Sequence, residues 1–317
     1  MTKNQIEPWR IIFMGTPSFA ISSLEGIAKK ENVVAVFTQP DRPKGRGQKK
    51  TSPPIKEIAQ KLKIPCFQPE SLKSEPAIRE IERLSPDLIV VVAYGLFLPK
   101  KILDIPKYKV INVHPSLLPK YRGAAPMQWA LINGDKETGV TIAYIIEKMD
   151  AGDILMQKSI DIDDSDDYFS LEKKLSNIGS DLLSQTISFL RENKISPRPQ
   201  NEKEATFAPK LRKEMGRINW QQPARFIFNL IRGANPWPGT FTLCDREPLK
   251  IHHAKLLTEE MAGIPGKIQT VSAEGISVET PKGVLLLTEV QKPNKKRMPV
   301  SEFLKGNPIT PGSCFHV

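Results

Sequence analysis

The run Leu88–Ala93, LIVVVA, is apolar throughout, with no polar alternation. A strand with water on one face alternates with period two, so a run like this must be covered on both faces. Sheets of that kind have parallel strands, with crossover helices lying on each side. The runs Ile11–Met14 and Val33–Phe37 have the same character, and Ile64–Phe67 reads as a shorter strand. Amphipathic stretches separate them at Phe19–Lys30, Pro54–Leu62 and Pro76–Leu84. The pattern predicts a Rossmann-like α/β domain on a mostly parallel sheet. Its first turn reads GTPSFA instead of G-x-G-x-x-G, so the usual dinucleotide is not expected there.

Open α/β sheets bind ligands where strands give way to loops. The stretch 109–126, KVINVHPSLLPKYRGAAP, puts a polar pair at such a point. Asn112 and His114 stand two apart on a strand ending, so they face the same side and can reach one substrate atom. Pro115 and Pro119 bracket a short apolar loop, and Gly123 opens an expected helix through Met127 and Trp129. Tyr94 and Gly95 end the LIVVVA strand at the same edge, with Tyr94 either a packing aromatic or a ligand contact. A strand over Gly139–Ile146 leads into a turn holding Asp150 and Gly152, and Ile154–Ile162 returns from it. If neighbouring strands deliver their C-terminal ends to one edge, Asp150 joins the pair. A helix over Ser165–Asn193 then closes the domain.

A neutral imidazole can move a proton near pH 7, an amide N–H can meet an oxygen gaining charge, and a carboxylate can orient the imidazole. No nucleophile elbow accompanies them, since Ser116 is flanked by Pro115 and Leu117. No His/Cys/Glu cluster has metal-ligand spacing, so no metal is expected. The set suits direct transfer of a group between two bound substrates. On residue type alone, His114 reads equally as a hydrogen-bonded structural residue and Asp150 as a turn former.

Pro40–Lys50, PDRPKGRGQKK, sets Arg42, Lys44, Arg46, Lys49 and Lys50 against a single acid, Asp41. Two prolines and two glycines predict an irregular loop, either a solvated linker or a lid that grips phosphates. Pro-rich, polar 194–207 reads as an interdomain linker, dividing the chain into 1–193 and 208–317. Beyond it, short runs of β-formers separated by Gly and Pro predict a small OB-like barrel: Phe241–Cys244, Leu249–His252, Gly266–Thr270, Ile276–Glu279 and Val284–Val290. Residues 206–317 hold 16 Lys+Arg against 9 Asp+Glu, most of the chain's net +11. That placement favours a polyanionic partner such as nucleic acid. Three scattered cysteines, no charged start followed by an apolar stretch, and no membrane-length apolar run predict a cytoplasmic protein with no membrane partner.

Several segments together resemble the methionyl-tRNA formyltransferase family. They are FMGTPSFA at 13–20, QPDRPKGRG at 39–47, VVAYGLFLP at 91–99, NVHPSLLPKYRGAAP at 112–126, TGVTI at 138–142 and DAGDIL at 150–155. APK at 208–210, RINW at 217–220 and IRGANPWPGT at 231–240 continue the resemblance. It implies formyl transfer from 10-formyltetrahydrofolate to the α-amine of methionyl-initiator-tRNA. The implied catalytic set is Asn112, His114 and Asp150. The implied folate loop is Ser116, Leu117, Leu118 and Pro119, with Tyr94 a further candidate contact. The basic loop from Arg42 to Lys50 would inspect the tRNA acceptor end. A monomer is expected. Two other readings stay open: a formyltransferase acting on a small amine, and a tRNA-binding protein with a degenerate enzyme domain.

Overall fold

The structure, a computed structural model, describes residues 8–44, 49–244, 247–260 and 263–315, with Lys44 and Lys49 described in backbone only. In chain order the strands and helices are β1 (Arg10–Gly15), α1 (Ile21–Ala28), β2 (Asn32–Phe37), β3 (Arg42–Lys44), β4 (Lys49–Thr51), α2 (Pro54–Lys61), β5 (Cys66–Phe67), α3 (Glu75–Leu84), β6 (Leu88–Val92), α4 (Lys100–Leu103), β7 (Val110–His114) and β8 (Arg122–Gly123). There follow α5 (Pro126–Asn133), β9 (Glu137–Tyr144), β10 (Ile154–Asp161), α6 (Tyr168–Arg191), β11 (Phe207–Ala208), α7 (Ala224–Ala234), β12 (Thr240–Cys244), β13 (Glu247–Thr258), β14 (Ile268–Val271), β15 (Ile276–Glu279), β16 (Val284–Gln291), β17 (Met298–Pro299) and α8 (Val300–Leu304). The chain forms two compact units, and neither is contiguous in sequence. One is Met1–Gly123, Glu137–Ile160 and Glu172–Phe207; the other is Ala124–Lys136, Asp161–Leu171 and Ala208–Val317. The sequence division at 194–207 differs from this one, because 124–136 and 161–171 group with the second unit.

The first unit is Rossmann-like. Among the described residues its sheet runs β10-β9-β7-β6-β1-β2-β5. The pairs β1–β2, β1–β6, β2–β5 and β6–β7 are parallel. All five residues of β6 are buried, as an unalternating run requires. Helix α6 approaches α1 closely because small residues line the contact. A Cβ on Gly26 would stand 2.4 Å from the Ser180 hydroxyl, which itself donates to the Ser22 carbonyl at 2.7 Å.

Three expectations change here. Strand β9 runs antiparallel to β7, pairing Asn112 with Ala143 and His114 with Thr141. Its C-terminal end therefore lies beside the start of β7, and Asp150 does not arrive as a neighbouring strand end. The loop 145–153 must curl back to bring it there. The basic stretch is also more regular than Pro and Gly content suggests. Strands β3 and β4 form an antiparallel hairpin stem pairing Arg42 with Thr51 and Pro43 with Lys50. A two-stranded ribbon has two open edges, which is where a proline lacking its N–H is tolerated. Residues 45–48, Arg46 among them, lie outside the described residues. The helix expected from Gly123 starts at Pro126, a favoured first helical residue, while Gly123 itself has φ +124° in β8.

The second unit is mainly β. Its sheet runs β12-β13-β16-β15-β14, with β17 pairing β16, and α5 and α7 belong to the same unit. The buried cluster includes Trp220, Ile227, Ile231, Ile251, Val278 and Leu287. Trp220 keeps its indole N–H satisfied by donating to Thr242 Oγ1 at 2.9 Å. Strand β13 spans 12 residues, well past the expected end at His252. Register shifts in its ladder with β16 near His253 break the period-two pattern from which a strand is read.

Candidate active site

Strand β7 ends on Asn112 and His114, and the loop 145–153 brings Asp150 to them. The Asn112 amide donates to Asp150 Oδ1 at 3.4 Å, and His114 Nδ1 lies 3.7 Å from the same oxygen. The Gly123 backbone N–H donates to Asp150 Oδ2 at 2.8 Å. One carboxylate thus gathers the amide, the imidazole and the start of the next segment. Asp150 has φ +49°, left-handed backbone that is uncommon outside glycine, though aspartate adopts it more readily than most residues. Two residues on, a Cβ at Gly152 would stand 2.0 Å from the Tyr144 carbonyl oxygen, so this turn closes only with glycine there.

His114 is almost fully buried, and its Nε2 lies 2.9 Å from the Tyr121 carbonyl oxygen. A carbonyl only accepts, so Nε2 carries the proton. The neutral ring therefore presents its lone pair at Nδ1, on the side of Asp150. A proton taken up at Nδ1 would create an imidazolium beside a carboxylate. Among the described residues the Asn112 side chain makes no other hydrogen bond, which leaves its second N–H for an incoming oxygen.

The loop after His114 is fixed from beneath by Thr141. Its hydroxyl donates to the Ser116 carbonyl at 2.6 Å and accepts from the Leu118 N–H at 3.0 Å. Gln157 donates to the Leu118 carbonyl at 2.8 Å. The Ser116 hydroxyl turns inward to the Lys120 carbonyl at 2.6 Å, and Leu118 packs with Ala143 and Ile154. Of the expected folate loop, only Leu117 and Pro119 keep partly exposed side chains. Tyr94 is interior as well. Its ring lies in the cluster holding Phe37, Leu72 and Ile102, and its buried hydroxyl has no partner among the described residues. Burial pushes that phenol up. Exposed apolar side chains occur instead at Phe97 after β6, and at Ile146 and Met149 before Asp150. No group of His, Cys, Asp and Glu fit to hold a metal occurs among the described residues.

The sequence reading missed a set of residues that brace this site. Arg122, at 1% exposure, donates to Gln200 Oε1 at 2.8 Å and to Glu202 Oε1 at 2.9 Å. The Gln200 amide donates to the Asp150 and Gly152 carbonyls at 2.8 and 2.7 Å. No local sequence signal marks this set: Arg122 lies in the RGA segment with no acidic residue near it in sequence, and its burial, which makes partners obligatory, shows only in the fold. Among the expected RNA contacts, Arg42 and Lys50 are exposed on the hairpin. Asp41 makes its side-chain hydrogen bonds elsewhere and acts on Lys50 only as a smaller through-space attraction. It is bound by Lys56 at 2.8 Å and Gln68 at 2.7 Å, bonds that hold its carboxyl below the usual range.

A model of the formyl transferase family matches residues 9–187, and one of the formyl transferase C-terminal domain matches 210–308. Methionyl-tRNA formyltransferase of Clostridium tetani is 47% identical over 304 residues, 96% of this chain and 98% of that protein. The protein of the same name from Alkaliphilus oremlandii is 45% identical over 305 residues, with the same two coverages. Among solved structures, the N-formyltransferase from Helicobacter canadensis in complex with folinic acid and dTDP-3-aminofucose matches with TM-score 0.66 at 20% identity, over 90% of this chain and 100% of that one. HypX from Aquifex aeolicus in complex with tetrahydrofolic acid matches with TM-score 0.64 at 18% identity; the match covers 98% of this chain but only 51% of HypX. At those identities the likeness is one of fold.

Two predictions follow from the burial and charge at this site. Tyr94→Phe removes a buried hydroxyl with no partner, so stability should hold or rise by about 1–2 kcal/mol in urea denaturation. Glu202 is held down to about 2, first by its bond from Arg122 and then by that from Lys148. A carboxyl depressed in the fold stabilises it above the ordinary value of 4.5 and loses that contribution as pH falls toward 2. Glu202→Gln should therefore be less stable than wild type at pH 7 and 5. The gap between the two denaturation curves should close between about pH 4.5 and 2.

Proposed function

This chain belongs to the methionyl-tRNA formyltransferase family, and on that premise we propose that it transfers a formyl group from 10-formyltetrahydrofolate to the α-amino group of methionyl-initiator-tRNA. The observation that carries the reading is the meeting of Asn112, His114 and Asp150 around one carboxylate oxygen. Folate is a substrate here, supplying the formyl group and leaving as tetrahydrofolate, and no metal takes part. The first unit would bind folate and perform the chemistry, and the basic C-terminal segment 208–317 would hold RNA. The protein would work as a cytoplasmic monomer. No helix among the described residues is long and apolar enough to cross a membrane.

The mechanism follows from the donor set. The amine arrives neutral, because an ammonium has no lone pair. Its attack on the formyl carbon moves the carbonyl π pair onto oxygen, and the free N–H of Asn112 meets that negative charge. The attacking nitrogen becomes cationic and gives its proton to His114 Nδ1, where Asp150 stabilises the imidazolium. Collapse of the intermediate breaks the bond to the folate nitrogen, and His114 returns the proton to that leaving group. Nε2 stays bound to the Tyr121 carbonyl throughout, so the ring does not rotate away. Holding both substrates at one site supplies much of the acceleration.

Outside this cleft, Arg42 and Lys50 on the hairpin, with Lys44, Arg46 and Lys49, would contact phosphates of the acceptor end. Asp41 directs its hydrogen bonds to Lys56 and Gln68 and attracts Lys50 only through space, which would leave these cations open to phosphate.

His114→Ala and Asp150→Ala should each lower kcat by about 10²–10⁴ in formyl transfer to charged initiator tRNA. Wild-type transfer to a small amine but not to this tRNA would replace the reading with a small-amine formyltransferase. Arg42→Ala with Lys44→Ala should weaken RNA binding and flatten its salt dependence. Each lost phosphate contact should lower the log–log slope by about 0.7–0.9, and an unchanged slope would remove the hairpin from the interface.

A further inference from the structure

Residues 198–206 read as linker, yet their side chains and backbone are bonded into the loops that form the site. Arg198 makes two backbone hydrogen bonds with Ile154, at 2.8 and 2.9 Å, and its guanidinium donates to Gln157 at 3.0 Å. Gln157 is the residue that holds the Leu118 carbonyl. Gln200 donates to the carbonyls of Asp150 and Gly152. Glu202 accepts from buried Arg122 and from Lys148 at 2.6 Å, and Lys148 lies in the same loop as Asp150. Thr206 accepts from the Tyr121 N–H through its hydroxyl at 2.8 Å and from the Arg122 N–H through its carbonyl at 2.9 Å. Tyr121 supplies the carbonyl that fixes the His114 tautomer.

We propose that 198–206 is a positioning strap for the formyl-transfer site, with Gln200 as the residue that sets Asp150. The inference rests on the formyl-transfer reading. Asp150 sits in left-handed backbone at the tip of a loop, and its peptide would relax toward ordinary φ without a constraint. Gln200 grips the carbonyls on both sides of the Ala151–Gly152 turn, so it holds the orientation of the peptide that carries the carboxylate. Arg122 in turn fixes the Gln200 side chain, since both its Nε and a terminal nitrogen donate to Oε1. Among the described residues Gln200 makes no hydrogen bond to Asn112 or His114, and it acts through the placement of Asp150.

The test is a double-mutant cycle. Gln200→Met keeps the side-chain length and removes the two donors; Gln200→Ala is the second variant, at a half-buried position where truncation leaves the core intact. Each should lower kcat at saturating substrates by about tenfold or more, with KM for folate and for tRNA within about twofold of wild type, as for a misplaced group rather than lost binding. In an Asp150→Ala background the same substitution should change kcat by less than about twofold. Hydrogen exchange of peptides covering 145–153 should accelerate in Gln200→Met, which reports on the strap whatever the reaction is. Unchanged kcat in Gln200→Met, an equal loss in both backgrounds, or unchanged exchange would each overturn the proposal. Wild-type protein inactive in formyl transfer would instead sink the functional reading, leaving the exchange result to judge the strap.

Discussion

The site depends on one carboxylate placed where the sheet does not naturally put it. Asp150 follows a strand antiparallel to the one carrying Asn112 and His114, so topology alone would leave it at the far end of β7. A tight loop closed by Gly152 returns it, at the cost of left-handed backbone at Asp150. The Gly123 N–H and the Asn112 amide bind the carboxylate once it arrives. So placed, the carboxylate is the partner that an imidazolium at His114 requires. The carboxylate is thus both the end point of the loop's folding and a participant in the chemistry.

What the sequence made legible follows from which interactions are local. Strand β6 was readable because burial on both faces leaves a continuous apolar run. The Asn112–His114 pair was readable because side chains two apart share a face of a strand. The direction of β9 was not, because a largely buried eight-residue strand reads the same in either orientation. The inward turn of Ser116 and Leu118 was hidden for another reason. It is set by Thr141 and Gln157, which meet that loop only after β9 and β10 pair beside it. Strand β13 lost its signal where bulges interrupt alternation, and the hairpin stem was masked by a proline that only a free edge accepts.

The treatment of charge separates the two roles of the first unit. Within the site, charges meet opposite charges or fixed dipoles: Arg122 with Glu202 and Gln200, Asp150 with an amide and a backbone N–H. On the hairpin Asp41 directs its hydrogen bonds to Lys56 and Gln68 and keeps only a smaller through-space attraction for exposed Lys50. A surface cation without a partner near it keeps its attraction for phosphate, whereas one paired internally loses most of it. The same two kinds of residue therefore build a rigid cleft in one place and an attractive surface in another.

Segment 194–207 shows why composition alone misreads such a site. Pro197 and Pro199 on either side of Arg198 favour extended backbone, the conformation that a linker and a bridging strand share. Polar side chains such as Gln200 and Glu202 are what a solvated linker would carry. They are equally what irregular loops need, because loop carbonyls lack the partners that helices and sheets supply. The Asp150 and Gly152 carbonyls are in that position, and the Gln200 amide satisfies both. A catalytic loop that leaves its sheet requires polar side chains from elsewhere in the chain. A polar, proline-rich segment following the last helix of the unit can supply them without adding to its core.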